Sequence, residues 1–241
     1  MNKDLIQARF SKSLSSYNEN ARIQKKMAEK LMSFLSSKKY NNILEIGCGT
    51  GFLTELLNNN LEFENYTAID IVEECKNYIE QINSDINFVH ADIETYVLQT
   101  APDLIISNAS LQWVNNFETI INKLKNNLSE NGELIFSTFG TENFKEISFL
   151  TGTALSYYST KELEEMFPLS LIEPEIHIMA FENPKDVLKH LQLTGVNALQ
   201  SKSWTKKDLT RFENGYRNLC SKRPTLTYNP IYIKIQNKTT G

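Results

Sequence analysis

Three glycines separated by single residues, Gly47, Gly49 and Gly51, stand between the apolar run "NILEI" and a second apolar run, "FLTELL". Glycine lets backbone come close to a ligand, and a turn from strand to helix offers unpaired N–H groups, so the spacing suits a nucleotide-like group. Three ligand classes compete for such a loop. A phosphate chain calls for a Gly-Lys-Ser/Thr ending, and "GCGTGFLT" has no lysine. A dinucleotide fingerprint places its third glycine three positions after the second, where this chain has Phe52. Glu45, inside the first apolar run, lies beneath the loop and poorly suits a pyrophosphate. A ligand that carries an ammonium and a sulfonium, such as S-adenosylmethionine, tolerates that negative charge better.

Further polar residues close the apolar runs that follow. Asp70 ends "YTAID", Asp92 follows "FVHA", and Asn108 follows "DLIIS". Any one of these fits a helix cap or a solvated loop. All of them in order, each at the carboxyl end of a predicted strand, mark the edge at which open α/β sheets bind ligands.

The elements that position these residues read as an alternation. Residues 19–35 place Ala21, Gln24, Met27, Ala28, Leu31 and Leu35 on one side at helical spacing, which predicts a helix outside the sheet core. Strands are predicted in "NILEI", "NYTAID", "INFVHAD" and "DLIISN", with helices in "GFLTELLNN" and "VEECKNYIEQIN" between the first three. Such alternation implies βαβ crossovers and a parallel sheet covered on both faces. Phe117, Ile120, Ile121, Leu124 and Leu128 predict an amphipathic helix that stops near Gly132, before a fifth strand. "STKELEEMF" predicts a helix capped by Ser159 or Thr160, and "LSLIEPEIHIMAFEN" contains one strand. "PKDVLKHLQLTG" and "TKKDLTRFENGYRNLC" read as two helices inserted before a final strand in "TLTYNPIYIKIQ", where Pro230 predicts an edge position or a bulge.

At 241 residues and a net charge of −4, the chain has the length of one domain and no overall basic surplus that would favour nucleic acid. From Lys185 onward, however, eleven Lys/Arg face three Asp/Glu, and the remainder carries fourteen against twenty-six. That asymmetry points to an acidic partner for the C-terminal part. Three cysteines without ligand spacing predict no metal site and a reduced, cytoplasmic setting. No apolar segment approaches the ~20 residues that span a bilayer, so no membrane partner is expected.

The E-x-G-x-G-x-G arrangement resembles motif I of the class I S-adenosylmethionine-dependent methyltransferases. That resemblance implies a Rossmann-like sheet of seven strands, mostly parallel with the last antiparallel. It implies S-adenosylmethionine as the cofactor, with Gly47, Cys48, Gly49 and Gly51 around its methionine end and Glu45 supporting the polar network. Asp70 would take the ribose hydroxyls with Ile71 beside the adenine, Asp92 with Ile93 would read the adenine amino group, and Asn108 would serve the methionine portion. The blocks "FSKSLSSYNENARIQKKMAEKL", "LIISNASLQWV", "STKELEEMF" and "LKHLQLTGVNAL" further resemble the malonyl-acyl carrier protein O-methyltransferases of biotin synthesis.

This second resemblance implies a helical lid over residues 1–39, a core over 40–183, a helical substrate cap over 184–222 and a last strand and tail over 223–241. Its chemistry is methylation of a free carboxylate on a malonyl thioester, an acceptor already ionised at neutral pH that needs no general base. The three histidines, His90, His177 and His190, are read as structural or surface groups. Tyr17 and Trp113 are the candidates for walling the methyl-transfer pocket, and Gln24 matches the segment that folds over the cofactor. A cation should pair with the malonyl carboxylate, and the segment after the fifth strand offers only Lys145. An acidic carrier protein would be steered by Lys189, Lys202, Lys206, Lys207 and Arg211.

Overall fold

The computed structural model describes residues 2–152, 156–195, 205–220 and 223–237. The chain opens with two helices, α1 (Lys3–Asn20) and α2 (Arg22–Met32), broken at Ala21. Asn2 caps α1 by accepting a hydrogen bond from the Leu5 N–H. Periodicity marked the helix only from residue 19, because α1 is polar around most of its circumference and buries just Ile6, Ser13 and Leu14. Helix α2 carries the expected stripe: Gln24, Met27, Ala28 and Leu31 are buried. Leu31 is 0% exposed, so Leu31→Ala is expected to lower stability by about 2–5 kcal/mol in urea unfolding.

Strands and helices then alternate: β1 (Lys39–Ile46), α3 (Phe52–Asn60), β2 (Glu62–Asp70), α4 (Cys75–Ile82), β3 (Asn87–His90), β4 (Leu104–Ser107), α5 (Phe117–Asn126) and β5 (Glu133–Phe139). Helix α5 stops six residues short of Gly132; the intervening turn uses Asn131 at φ +61°. Two short helices follow, α6 (Lys145–Thr151) and α7 (Thr160–Met166), the second opened by a reciprocal Ser159–Glu162 capping box. "LSLIEPEIHIMAFEN" holds two strands instead of one, β6 (Leu171–Pro174) and β7 (His177–Ala180). After α8 (Pro184–Leu193) and α9 (Lys206–Leu219), the C-terminal segment also divides, into β8 (Thr225–Tyr228) and β9 (Pro230–Gln236).

The main sheet has seven strands in the order β3-β2-β1-β4-β5-β9-β6, with β1 to β5 parallel and β9 antiparallel to both neighbours. Strands β7 and β8 form a separate antiparallel pair. The segment β7-α8-α9-β8 is therefore the insertion between β6 and β9. Pro230 does not lie on an edge strand. It is the first residue of an interior one, where the chain leaves the small sheet for the large one and a missing N–H costs little.

Cores on the two faces explain why the central strands are almost continuously apolar. In β4, Leu104 and Ile106 join one core with α2, α3 and α4, whereas Ile105 joins the other with α5. Strand order reverses between β1 and β4, and the carboxyl ends of these strands flank the crevice in which such sheets bind ligands.

Candidate active site

A single cleft at that reversal brings together nearly every residue singled out from the sequence. Tyr17, Gln24, Glu45, Gly47, Cys48, Gly49, Asp70, Ile71, Asp92, Ile93, Asn108 and Trp113 all line it. Among the cofactor and pocket candidates the exception is Gly51. It has φ +79° and precedes α3, but it faces Ile79 and Ile82 on α4, so it shapes the loop from behind without reaching the cleft.

The loop is held by its own backbone and by the strand beside it. Gly47 N–H donates to Ile69 O at 2.7 Å, and Gly49 N–H donates to Asp70 Oδ2 at 2.8 Å. Val72 N–H reaches the other Asp70 oxygen at 2.9 Å. Gly47 has φ +72°, and a Cβ there would run into the Ser110 side chain, which makes the loop a cradle that only glycine leaves open.

Beneath the loop, Glu45 is 1% exposed, and its Oε2 accepts from Tyr66 Oη at 2.5 Å and Thr54 Oγ1 at 2.7 Å. Burial outweighs those two donors and pushes its carboxyl up to about 7, with Asp70 adding to the rise. Asp70 is also raised by burial, against the pull of its two backbone donors. The Cys48 thiol is pushed well above its ordinary range by burial and the nearby acids, which keeps it protonated and unreactive.

At the far end of the cleft Asp92 accepts from Glu94 N–H at 3.0 Å, and Lys3 of α1 bridges Asp92 and Glu94. Two more polar links tie α1 across the opening: Ser11 Oγ to Glu74 at 2.6 Å, and Thr50 Oγ1 to Asn18 Oδ1 at 2.6 Å. Lys3, Ser11 and Asn18 of α1 and Thr50 of the loop were not singled out from the sequence: the helical N-terminal segment was expected from resemblance, and α1 carries no periodicity to say which of its residues face the cleft.

The Asn108 side chain is engaged within the protein. Its Oδ1 accepts from Ser137 Oγ at 2.7 Å and its Nδ2 donates to Gln24 O at 2.9 Å, so the side chain ties α2 to the sheet while the residue lines the cleft. The next residue, Ala109, sits at φ +50° and is pinned through its N–H to Ser137 Oγ at 2.9 Å.

Beyond Trp113 the cleft continues into a smaller inner cavity, which shares Phe10, Tyr17, Gln24, Ala109 and Trp113 with it and adds Gln112, Phe139, Phe144, Tyr157 and Thr194. Among the described residues no cation lines this inner cavity. Lys145 is half exposed and pairs with Glu142 at 3.0 Å. None of the histidines lines either space. His90 bonds Ile71 O at 3.0 Å, His177 bonds Glu175 at 3.1 Å, and His190, expected at the surface or in a structural role, is buried against Tyr228. Lys189 is exposed on α8, and Lys206, Lys207 and Arg211 are exposed on the first turns of α9; Lys202 lies outside the described residues. Among the described residues no group of His, Cys, Asp and Glu could hold a metal ion, and no helix is long and apolar enough to cross a membrane.

Comparison with known proteins fits this geometry. A methyltransferase domain family matches residues 17–169. The malonyl-acyl-carrier protein O-methyltransferase of Chlorobium luteolum is 36% identical over 99% of this chain and 97% of its own length. This chain belongs to that family. Other members include the enzymes of the same name from Calditerrivibrio nitroreducens, 37% identical over 93% of both chains, and Acinetobacter baylyi, 35% identical over 97% of this chain and 96% of its own. The fold of this malonyl-acyl-carrier protein O-methyltransferase family member also resembles solved structures at low identity. A methyltransferase-like protein from Bacillus halodurans aligns at TM-score 0.64 and 12% identity over 88% of this chain and 99% of its own. The N-methyltransferase NodS of Bradyrhizobium japonicum, solved with S-adenosyl-L-homocysteine, aligns at 0.54 and 16% identity over 93% and 99%.

Proposed function

We propose that the chain transfers a methyl group from S-adenosylmethionine to the free carboxylate of malonyl-acyl carrier protein, giving the methyl ester that enters pimeloyl and biotin synthesis. The single observation that carries this reading is the cleft itself: a glycine cradle over a buried acid, with Asp70 and Asp92 at successive strand ends, in a chain whose full-length relatives bear that name. A Cβ would fill the cradle at Gly47, and a buried carboxylate beneath it favours a cationic ligand over a pyrophosphate. S-adenosylmethionine, when bound, supplies an activated methyl group on a sulfonium.

In this reading Asp70 takes the ribose hydroxyls, Ile71 and Ile93 flank the adenine, Asp92 reads its amino group, and Glu45 balances the positive charge at the methionine end. Helices α1 and α2 act as a lid, and α8 with α9 as a cap on the acceptor side. The acceptor carboxylate needs no base, so Tyr17 and Trp113 serve by walling the pocket, excluding water and aligning the oxygen with the methyl group.

Glu45 gives this reading a pH signature. Its free-state value near 7 is raised by burial, and a bound cation favours the ionised form, so binding draws the proton off. Affinity for S-adenosylmethionine is therefore expected to rise between about pH 6 and 8, with proton release visible by calorimetry in two buffers of different ionisation enthalpy. Glu45→Gln abolishes that release. The stability effect has the opposite sense. Between the ordinary value of 4.5 and about 7 the folded chain holds a proton that the unfolded chain sheds, so this contribution falls as pH rises through that window and is level above it.

Carrier docking is carried by α9. Lys206, Lys207 and Arg211 lie at the helix end whose dipole is already positive, so their charges add to that potential instead of neutralising it. A Lys206→Glu/Lys207→Glu double variant is expected to raise KM for the carrier-bound substrate by about tenfold at low salt, with much less effect at 0.5 M salt. An unchanged KM at low salt would exclude docking there.

A further inference from the structure

The inner cavity has a composition that an anion site built on ion pairing lacks. Among the described residues lining it there is no lysine, arginine or histidine. Lys25, which lines the outer cleft, sits over the Phe52 ring at 5.0 Å, and Lys3 is engaged by Asp92 and Glu94. The cavity is walled largely by apolar groups, Phe10, Trp113, Phe139 and Phe144 among them, its polar groups are all neutral, and it holds two buried oxygens without a hydrogen-bond donor, Gln24 Oε1 and Gln112 Oε1. A buried, unpaired oxygen in a native cavity calls for a partner or a rearrangement.

We propose that this cavity receives the acceptor's carboxylate and holds it by uncharged donors, the Tyr17 and Tyr157 hydroxyls and the Gln24 amide, with no cation contributed by the described residues. The inference rests on the reading that a malonyl thioester is the acceptor.

Each donor is set by a neighbour. Tyr157 Oη accepts from Asn143 Nδ2 at 2.9 Å, and Asn143 is 2% exposed and fixed by accepting from Asn229 N–H at 3.2 Å. The hydroxyl proton of Tyr157 is thus left for the cavity. The Tyr17 hydroxyl makes no hydrogen bond among the described residues, and burial together with Asp70 keeps it protonated. The Gln24 amide bears on the Tyr228 hydroxyl, which in turn shares a hydrogen bond of 2.7 Å with His190 Nε2.

That relay can run in either direction. His190 is held neutral, its value pushed down to about 4 by burial and by Arg22, and a neutral ring nitrogen either accepts or donates. When Nε2–H donates to Tyr228, the Tyr228 proton is free for Gln24 Oε1, and a half-turn of the amide aims its NH2 into the cavity. This arrangement pairs the orphaned oxygen and creates an anion donor in one step.

Gln112 has no such freedom. Its Nε2 donates to Ala109 O at 2.6 Å, so its oxygen stays toward the cavity and bars a carboxylate oxygen from that wall. The anion is left on the side of Tyr17 and Gln24, where the cavity opens to the cleft. Neutral donors orient the carboxylate there without a contact ion pair competing for its lone pairs.

The test is binding of malonyl-pantetheine to the full chain saturated with S-adenosylhomocysteine, with malonyl-pantetheine methyl ester as the uncharged control. Tyr157→Phe is expected to weaken the acid about tenfold and the ester less than threefold, with S-adenosylhomocysteine affinity unchanged. Gln24→Glu is expected to weaken the acid more than tenfold at pH 8 and to regain affinity toward pH 6 as Glu takes a proton and donates. Tyr17, Tyr157, Tyr228 and His190 keep one protonation state across this range, and Glu45 of the same cleft, which titrates in it, is controlled for by measuring the unaltered chain at both pH values. Lys145→Met is expected to change nothing. Equal losses for acid and ester would reduce Tyr157 and Gln24 to structural roles, and a tenfold loss in Lys145→Met with Tyr157→Phe intact would restore a cation; either result overturns the proposal. If the unaltered chain bound no malonyl thioester, the functional reading itself would fail.

Discussion

Asp70→Ala is expected to weaken binding of S-adenosylhomocysteine by about 10²–10⁴-fold. A carboxylate that accepts from two ribose hydroxyls makes two charge-assisted hydrogen bonds, each worth about 1.5–3 kcal/mol. The geometry adds to this loss. Asp70 already accepts from Gly49 and Val72 N–H, so it fixes the loop that faces the cleft in addition to the ribose contact proposed for it. Asp70→Asn keeps one acceptor oxygen and is expected to fall between the alanine variant and the unaltered chain. Thermal unfolding of both variants separates loss of the contact from loss of the fold. A dissociation constant within threefold of the original in a folded Asp70→Ala protein would remove Asp70 from the site.

The second large effect is at Gly47. Alanine at φ +72° costs about 1–2 kcal/mol in backbone strain alone. Its Cβ would also meet Ser110 Oγ and Cβ, and Ser110 belongs to the loop after β4 that carries Ala109 and Trp113. One of the two loops must move, and both line the cleft. Gly47→Ala is expected to lower S-adenosylhomocysteine affinity by about 100-fold or more. The double variant Gly47→Ala/Ser110→Gly removes the obstruction and leaves only the strain, so it is expected to recover much of the loss. Normal binding by Gly47→Ala would mean that the cradle is not the ligand's seat.

The sequence made the cofactor side of this site legible for a physical reason. Parallel strands buried on both faces read as apolar runs, and the residue that ends each run is delivered to the same sheet edge, so Asp70, Asp92 and the glycines could be placed before any coordinates. Spacing alone does not say which way a glycine faces, and Gly51 turned out to support the loop from the α4 side. Nor does it say whether a polar side chain meets a ligand or the protein, as Asn108 illustrates with both its amide atoms engaged internally.

The acceptor side was harder to read because its walls come from distant segments. Tyr17, Gln24, Gln112, Phe139, Tyr157 and Thr194 share no local pattern and meet only once α1, α2, the loop after β4 and the inserted α8 have packed together. The helical segment before residue 19 was expected from resemblance and not from pattern: α1 buries only Ile6, Ser13 and Leu14, so its sequence carries almost no stripe. The charge asymmetry was visible from composition, and three of its basic residues, Lys206, Lys207 and Arg211, stand on the first turns of α9, the helix read in "TKKDLTRFENGYRNLC" and started by a capping box at Thr205 and Asp208.

The central claim is tested most directly by incubating the full chain with methyl-labelled S-adenosylmethionine and malonyl-acyl carrier protein, then treating the recovered carrier with mild base. The account predicts label on the carrier, dependent on Asp70 and released by base as expected for a methyl ester. Label that appears only on phenolic small molecules, or none on the carrier with S-adenosylmethionine bound, would contradict it.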